Sequence, residues 1–115
     1  MDPTFGFERL DVYQRSVELM ALAMRVISAL PAGYHALADQ LRRAALSIPV
    51  NIAEGVGRTS VADQRRHWII ARGSAMECAA ILDVCRVLGI AEGSLLADGR
   101  ALLVRIVSML TKMGR

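Results

Sequence analysis

The stretch RLDVYQRSVELMALAMRVISALPAG, Arg9 to Gly33, decides the fold class. Within it Leu10, Tyr13, Val17, Met20, Met24 and Ile27 are spaced three, four, three, four and three, which is the repeat of one helical face and not the alternation of a strand. Leu30-Pro31-Ala32-Gly33 then stops the segment, because Pro31 disfavours helical dihedrals at Leu30 and Gly33 tolerates left-handed ones. The first helix is expected from about Phe7 to Leu30.

Outward from this stretch, three more helical segments separate at turn signals: about Tyr34 to Val56, Val61 to Leu88 and Ser94 to Lys112. Gly55-Val56-Gly57-Arg58-Thr59-Ser60 supplies glycines for helix termination, then Thr59 or Ser60 as an N-cap, with Asp63 placed to complement the helix dipole. Gly89-Ile90-Ala91-Glu92-Gly93-Ser94 repeats the arrangement. Short connections favour antiparallel neighbours, so the expected fold is all-α: an up-down-up-down four-helix bundle, one domain over residues 1–115. Pro49 falls inside the second segment, where it removes the hydrogen bond to the Ala45 carbonyl; a kink, or two shorter helices, is expected there.

Composition agrees with a helical core. Hydrophobic residues make up 54% of the 115 and aromatic ones only 4%, which excludes disorder and leaves the core to Leu, Ile, Val, Ala and Met. No apolar run approaches the roughly 20 residues that span a bilayer. The stretch Met1-Asp2-Pro3-Thr4-Phe5 shows no secretion signal, so a cytoplasmic location without membrane contact is expected. Cys78 and Cys85 lie two turns apart on one helical face, about 10 Å, too far for a disulfide, and read as small buried apolar residues. His35 and His67 have no metal-ligand spacing and read as surface or helix-end residues; neither a metal nor another cofactor is expected.

The polar residues form a pattern of their own. Gln40, Arg43, Ser47, Asn51 and Glu54 make one stripe on the second helix, with Leu37, Leu41, Ile48 and Ile52 beside it. On the third helix Arg72, Gly73, Ser74 and Glu77 interrupt an apolar stretch, and partial burial is expected for them. Buried charge must be paired, so Glu54 or Glu77 is expected to face Arg72 or Arg43, either as a register-setting ion-pair network or as a pocket for an anionic ligand. No nucleophile sits at a recognisable motif, which argues against an enzyme.

Two further features concern partners. On the fourth helix Leu95, Leu102, Ile106 and Met109 mark one stripe and Leu96, Leu103, Val107 and Leu110 a second, a width that suggests self-association, although a broad core face would look the same. The net charge is +3, built from thirteen arginines and the single Lys112. Arg58, Arg65 and Arg66 gather with His67 at one helix junction, offset only by Asp63, and in a ring of copies they would form a basic annulus suited to RNA or DNA phosphates. Pairing with acids of neighbouring copies is the competing reading.

The stretch QLRRAALSIPVNIAEGVGR, Gln40 to Arg58, followed by ARGSAMEC, Ala71 to Cys78, and preceded by FERLDVYQRSVEL, Phe7 to Leu19, resembles a known family. These are the four-helix bundle proteins encoded in intervening sequences of bacterial 23S ribosomal RNA genes, and the resemblance covers nearly the whole chain. It implies a homopentamer arranged as a barrel with a central channel. Similar proteins are accessory subunits of diversity-generating retroelements, binding a reverse transcriptase and nucleic acid. It also marks Arg43, Ser47, Asn51, Glu54, Arg72, Ser74 and Glu77 as a shared polar cluster. A non-catalytic scaffold or adaptor for nucleic acid, or for a nucleic-acid enzyme, is the function these readings favour, with a protein-only interaction oligomer as the alternative.

Overall fold

A computed structural model describes residues 5–115; the N-terminal residues read for a secretion signal lie largely outside them. After a 3₁₀ turn, Gly6–Arg9, come four helices: α1 (Asp11–Ala29), α2 (His35–Val56), α3 (Val61–Leu88) and α4 (Gly93–Met113). Each helix packs against its two neighbours in the order α1-α2-α3-α4-α1, and neither diagonal pair has close backbones. Contacts run in opposite order along each pair that shares side chains across it. Arg72 meets Thr111 and Asp83 meets Arg100, so α3 and α4 are antiparallel, as are α1 and α4 through Asp11–Arg105 and Leu22–Gly99.

The local chemistry accounts for the ends. Ser60 Oγ accepts the Asp63 amide at 3.1 Å and starts α3. Gly89, at φ +64°, ends it, while Ile90 N–H reaches back to the Cys85 carbonyl. Ser94 does not cap α4: Glu92 holds the cap position, and the Ser94 hydroxyl bonds its carboxylate. Pro49 is buried inside an α2 that runs unbroken from His35 to Val56, so there are not two shorter helices. Among the described residues no helix is long and apolar enough to cross a membrane.

The expected α1 stripe is not the face that the helix buries. Val12, Ser16, Leu19, Ala23 and Val26 point into the core, whereas Val17 and Met24 are exposed and Tyr13 and Met20 half-buried. Ser16 hides the true face from a hydropathy reading, yet its hydroxyl donates to the Tyr13 carbonyl at 2.7 Å and is buried satisfied. The reverse holds for α4. Leu95, Leu96, Leu103, Ile106 and Leu110 are buried, and Leu102, Val107 and Met109 pack against them, so its two stripes are one broad core face. Cys78 and Cys85 are buried and free. Burial, with Glu77 adjacent, pushes the Cys78 thiol up to about 12, and burial raises Cys85 as well, so both stay protonated.

The tightest approach joins α2 to α3. A Cβ on Gly55 would stand 2.4 Å from a ring carbon of the buried Trp68, so the indole lies directly on the α2 backbone. At Gly99 a Cβ would meet only the methyl ends of Leu82 and Leu22, at 2.8 and 2.9 Å, which move more easily than a packed indole. Gly55→Ala is therefore expected to cost at least about 1–3 kcal/mol in urea denaturation, and Gly99→Ala clearly less.

Candidate functional site

Above the Gly55–Trp68 contact, α2 and α3 share a chain of polar side chains. Ser74 Oγ donates to Ser47 Oγ at 2.8 Å, and Asn51 Nδ2 donates to Ser47 Oγ at 3.0 Å and to the Ser47 carbonyl at 2.9 Å. With its amide nitrogen so engaged, Asn51 turns Oδ1 toward His67 Nδ1 at 3.0 Å. Arg58 Nε–H donates to His67 Nε2 at 3.3 Å. A guanidinium is always a donor, so Nε2 accepts and the proton sits on Nδ1, which donates to Asn51. Glu54 Oε2 stands 3.6 Å from that same Nδ1.

His67 is thus not a surface residue, as its sequence position suggested, but 4% exposed and the centre of the network. Both ring nitrogens are occupied by protein neighbours, which leaves neither for a ligand. The signal for its burial was in the sequence: His67 is followed by Trp68 and lies seven residues before Ser74, hence on the same α3 face.

The expected cluster divides. Ser47, Asn51, Glu54 and Ser74 belong to the network, but Arg43 is solvent-exposed and pairs with Asp39 of its own helix at 3.1 Å. Asn51 and Arg43 are eight residues apart, about 80° around the helix, so the first lies on the core side of the stripe and the second on its solvent side. Glu77 and Gly73 are exposed too. Arg72 is half-buried, yet its partner is a hydroxyl: Nε donates to Thr111 Oγ1 at 2.8 Å, and Thr111 donates on to the Val107 carbonyl. Five residues set Arg72 and Glu77 about 140° apart, so the two cannot meet, and neither Glu54 nor Glu77 pairs with Arg72 or Arg43 among the described residues. Among the described residues no buried ion pair sets the register.

The basic junction also divides. Arg58 is tied to His67, whereas Arg65 and Arg66 are exposed without a carboxylate in ion-pair range among the described residues. Antiparallel packing brings the end of α4 to the same end of the bundle, adding the exposed Lys112 and Arg115, likewise unpaired. At the opposite end Arg42 and Arg43 pair with Asp39, and Arg100 with Asp83, while Arg25 and Arg86 are exposed without a carboxylate in ion-pair range among the described residues.

Large apolar side chains remain outside the core. A groove of about 310 Å³ between α1 and α2 is lined by Tyr13, Val17, Met20, Leu46 and Val50, with Phe7 stacked edge-on against Tyr13 at its rim. Another, of about 340 Å³, lies between α3 and α4 beside Met76 and Val104.

Loss of Asn51 would leave the buried His67 Nδ1–H without its acceptor. Asn51→Ala is expected to lower stability by about 1–3 kcal/mol, and Gln40→Ala, on the exposed end of the same stripe, by less than about 0.5; thermal melts of both variants check this.

The family model for 23S rRNA-intervening sequence proteins matches residues 8–112. Among solved structures, the chain is similar to a protein of unknown function from the S23 ribosomal protein family of Bacteroides thetaiotaomicron. The TM-score is 0.83 at 20% identity, over 90% of this chain and 98% of that one, a likeness of fold. No match is found among curated proteins.

Proposed function

The chain belongs to the family of 23S rRNA-intervening sequence proteins, and from that premise we propose that it is a non-catalytic, self-associating adaptor that holds nucleic acid at one end of its bundle. The observation that carries this reading is the contrast between the two ends. Among the described residues Arg65, Arg66, Lys112 and Arg115 stand exposed without carboxylate partners at one, whereas the other pairs Arg42, Arg43 and Arg100 and leaves only Arg25 and Arg86 so. Unpaired arginines suit phosphates, and repetition of that end around an assembly multiplies a small net charge into a strong local field. A nucleic-acid enzyme such as a reverse transcriptase fits the same role as a co-ligand of the nucleic acid.

Nothing in the His67 network supports catalysis. Its imidazole is enclosed by Asn51 and Arg58, and the two thiols are buried and protonated, so neither supplies an accessible nucleophile or base. Self-association is supported by the exposed apolar side chains of α1, α2 and α3, of a kind that a monomeric helix face seldom carries.

Light scattering on the purified protein is expected to give about five times the 12.5 kDa chain mass; a monomer at micromolar concentration counts against assembly. In titrations of a labelled oligonucleotide at low salt, binding is expected to depend little on base sequence and to fall steeply with salt. Replacing Arg65 and Arg66 together by Ala should flatten the log-log salt slope by roughly 2 and leave the mass unchanged. If the wild type binds no oligonucleotide at low salt, the protein-only adaptor is the better reading.

A further inference from the structure

The turn that precedes α1 holds an aromatic ring in water. Phe5 N–H donates to Glu8 Oε1 at 2.8 Å and the Phe5 carbonyl accepts the Glu8 amide at 3.1 Å, so the turn is closed at both ends. Gln14 Nε2 donates to the Glu8 carbonyl at 3.0 Å and ties the turn to α1. On this frame the Phe5 ring lies parallel to that of Phe7, with centroids 5.5 Å and planes 5° apart, and Phe7 rests edge-on against Tyr13. Phe7 covers one face of Phe5, yet Phe5 is 69% exposed, so its other face is open. Phe7, Tyr13 and Tyr34 are half-buried and Trp68 is buried, which leaves Phe5 as the one exposed aromatic side chain among the described residues. Stacking on Phe7 fixes the plane of the ring in advance of any partner, which lowers the entropy that a partner must overcome.

This turn stands at the basic end of the bundle. Asp11, just beyond it, meets Arg105 of α4, and Thr111, further along α4, meets Arg72 of α3. The turn, the end of α4 and the start of α3 therefore share one end. Arg9, the last residue of the turn, is exposed without a carboxylate in ion-pair range among the described residues, as are Arg65, Arg66, Lys112 and Arg115. The acids nearest to Arg9 in the chain are engaged elsewhere, Glu8 by the Phe5 amide and Asp11 by Arg15 and Arg105.

From this juxtaposition of an open, pre-fixed ring with unpaired cations we infer that the nucleic acid held at this end is single-stranded. An unpaired base stacks on the free face of Phe5 while phosphates meet Arg9 and the other cations. The inference rests on the nucleic-acid reading proposed above and names the state of the strand. Charge alone does not choose that state, because a duplex carries the denser phosphate charge and attracts cations more strongly. The ring does choose it. Bases inside a duplex have both faces covered by their neighbours, whereas an unpaired base offers one, and since every base has such a face the contact needs no particular sequence.

The test measures binding of a labelled oligothymidylate, and of a DNA duplex of the same length, to the full-length chain at low salt. The wild type is expected to bind the single strand more tightly than the duplex. Phe5→Leu keeps an apolar side chain but has no π face. It should weaken single-strand binding by at least about fivefold, leave duplex binding unchanged and keep the salt slope, since it removes no charge. Phe5→Trp should bind the single strand at least as tightly as the wild type, and its added indole emission, read against the Trp68 background of the wild type, should be quenched by the single strand and not by the duplex. Circular dichroism establishes that each variant is folded, and the Phe5→Trp emission decides alone should Phe5→Leu fail. A wild type that prefers the duplex overturns the stacking and leaves the nucleic-acid reading in place. So does a Phe5→Leu that binds the single strand as the wild type does or weakens both ligands alike, and so does an emission that the single strand leaves unchanged. A wild type that binds neither overturns both.

Discussion

The packing of Trp68 on the backbone of Gly55 is the constraint around which the bundle is arranged. Because the indole takes the space of a missing side chain, α2 and α3 meet there at a separation that no larger residue at position 55 permits. That proximity lets side chains as short as Ser47 and Ser74 reach each other across the two helices, and Asn51 reach His67. One close contact thereby sets the register in which every polar group of the interface finds a partner. A buried ion pair is the more costly device for the same end, and the structure does without it.

The rest of the apolar surface divides between core and exterior in a way that bears on assembly. α4, the helix with two apolar stripes, uses both on its own bundle, because the two lie side by side and face inward together. α1 and α3 retain apolar side chains on the outside, at Val17 and Met24 and at Ile69 through Val87. A helix with apolar residues on most of its circumference is therefore ambiguous in one dimension. Every helix here has two neighbours, so whether the surplus serves the core or a partner depends on the side of the helix that carries it, and α3 carries it opposite its buried face.

The polar cluster was legible in part. Residues three and four apart share a helix side, so the stripe Ser47–Asn51–Glu54 was recognisable from spacing alone, whereas Ser74 was joined to it only by the family resemblance. Arg43, Glu77 and Arg72 failed for one common reason. Spacing places residues on a side of their own helix, but only the angle to the neighbouring helix decides which edge of that side is dry. His67 was missed for a related reason: a histidine near a helix start reads as solvated unless the tryptophan beside it is known to be packed. Arg65 and Arg66 stand exposed at the junction where they were read, but Lys112 and Arg115, distant in sequence, join them only because α4 ends beside the start of α3.

By itself the sequence determined that the chain is all helix, where its helices stop and where α3 begins, because these follow from local dihedral preferences, capping and the 3.6-residue repeat. Val61–Leu88 is the span the turn signals demand, and α2 ends at Val56 as they require. Tertiary structure alone decided which of two adjacent stripes on α1 is buried, that Ser16 is buried with it, and which of the arginines are left without a partner. These are relations between helices. A local hydrogen bond can satisfy a buried serine, and a neighbouring helix can cover or expose an apolar stripe, without changing anything that periodicity along a single helix records.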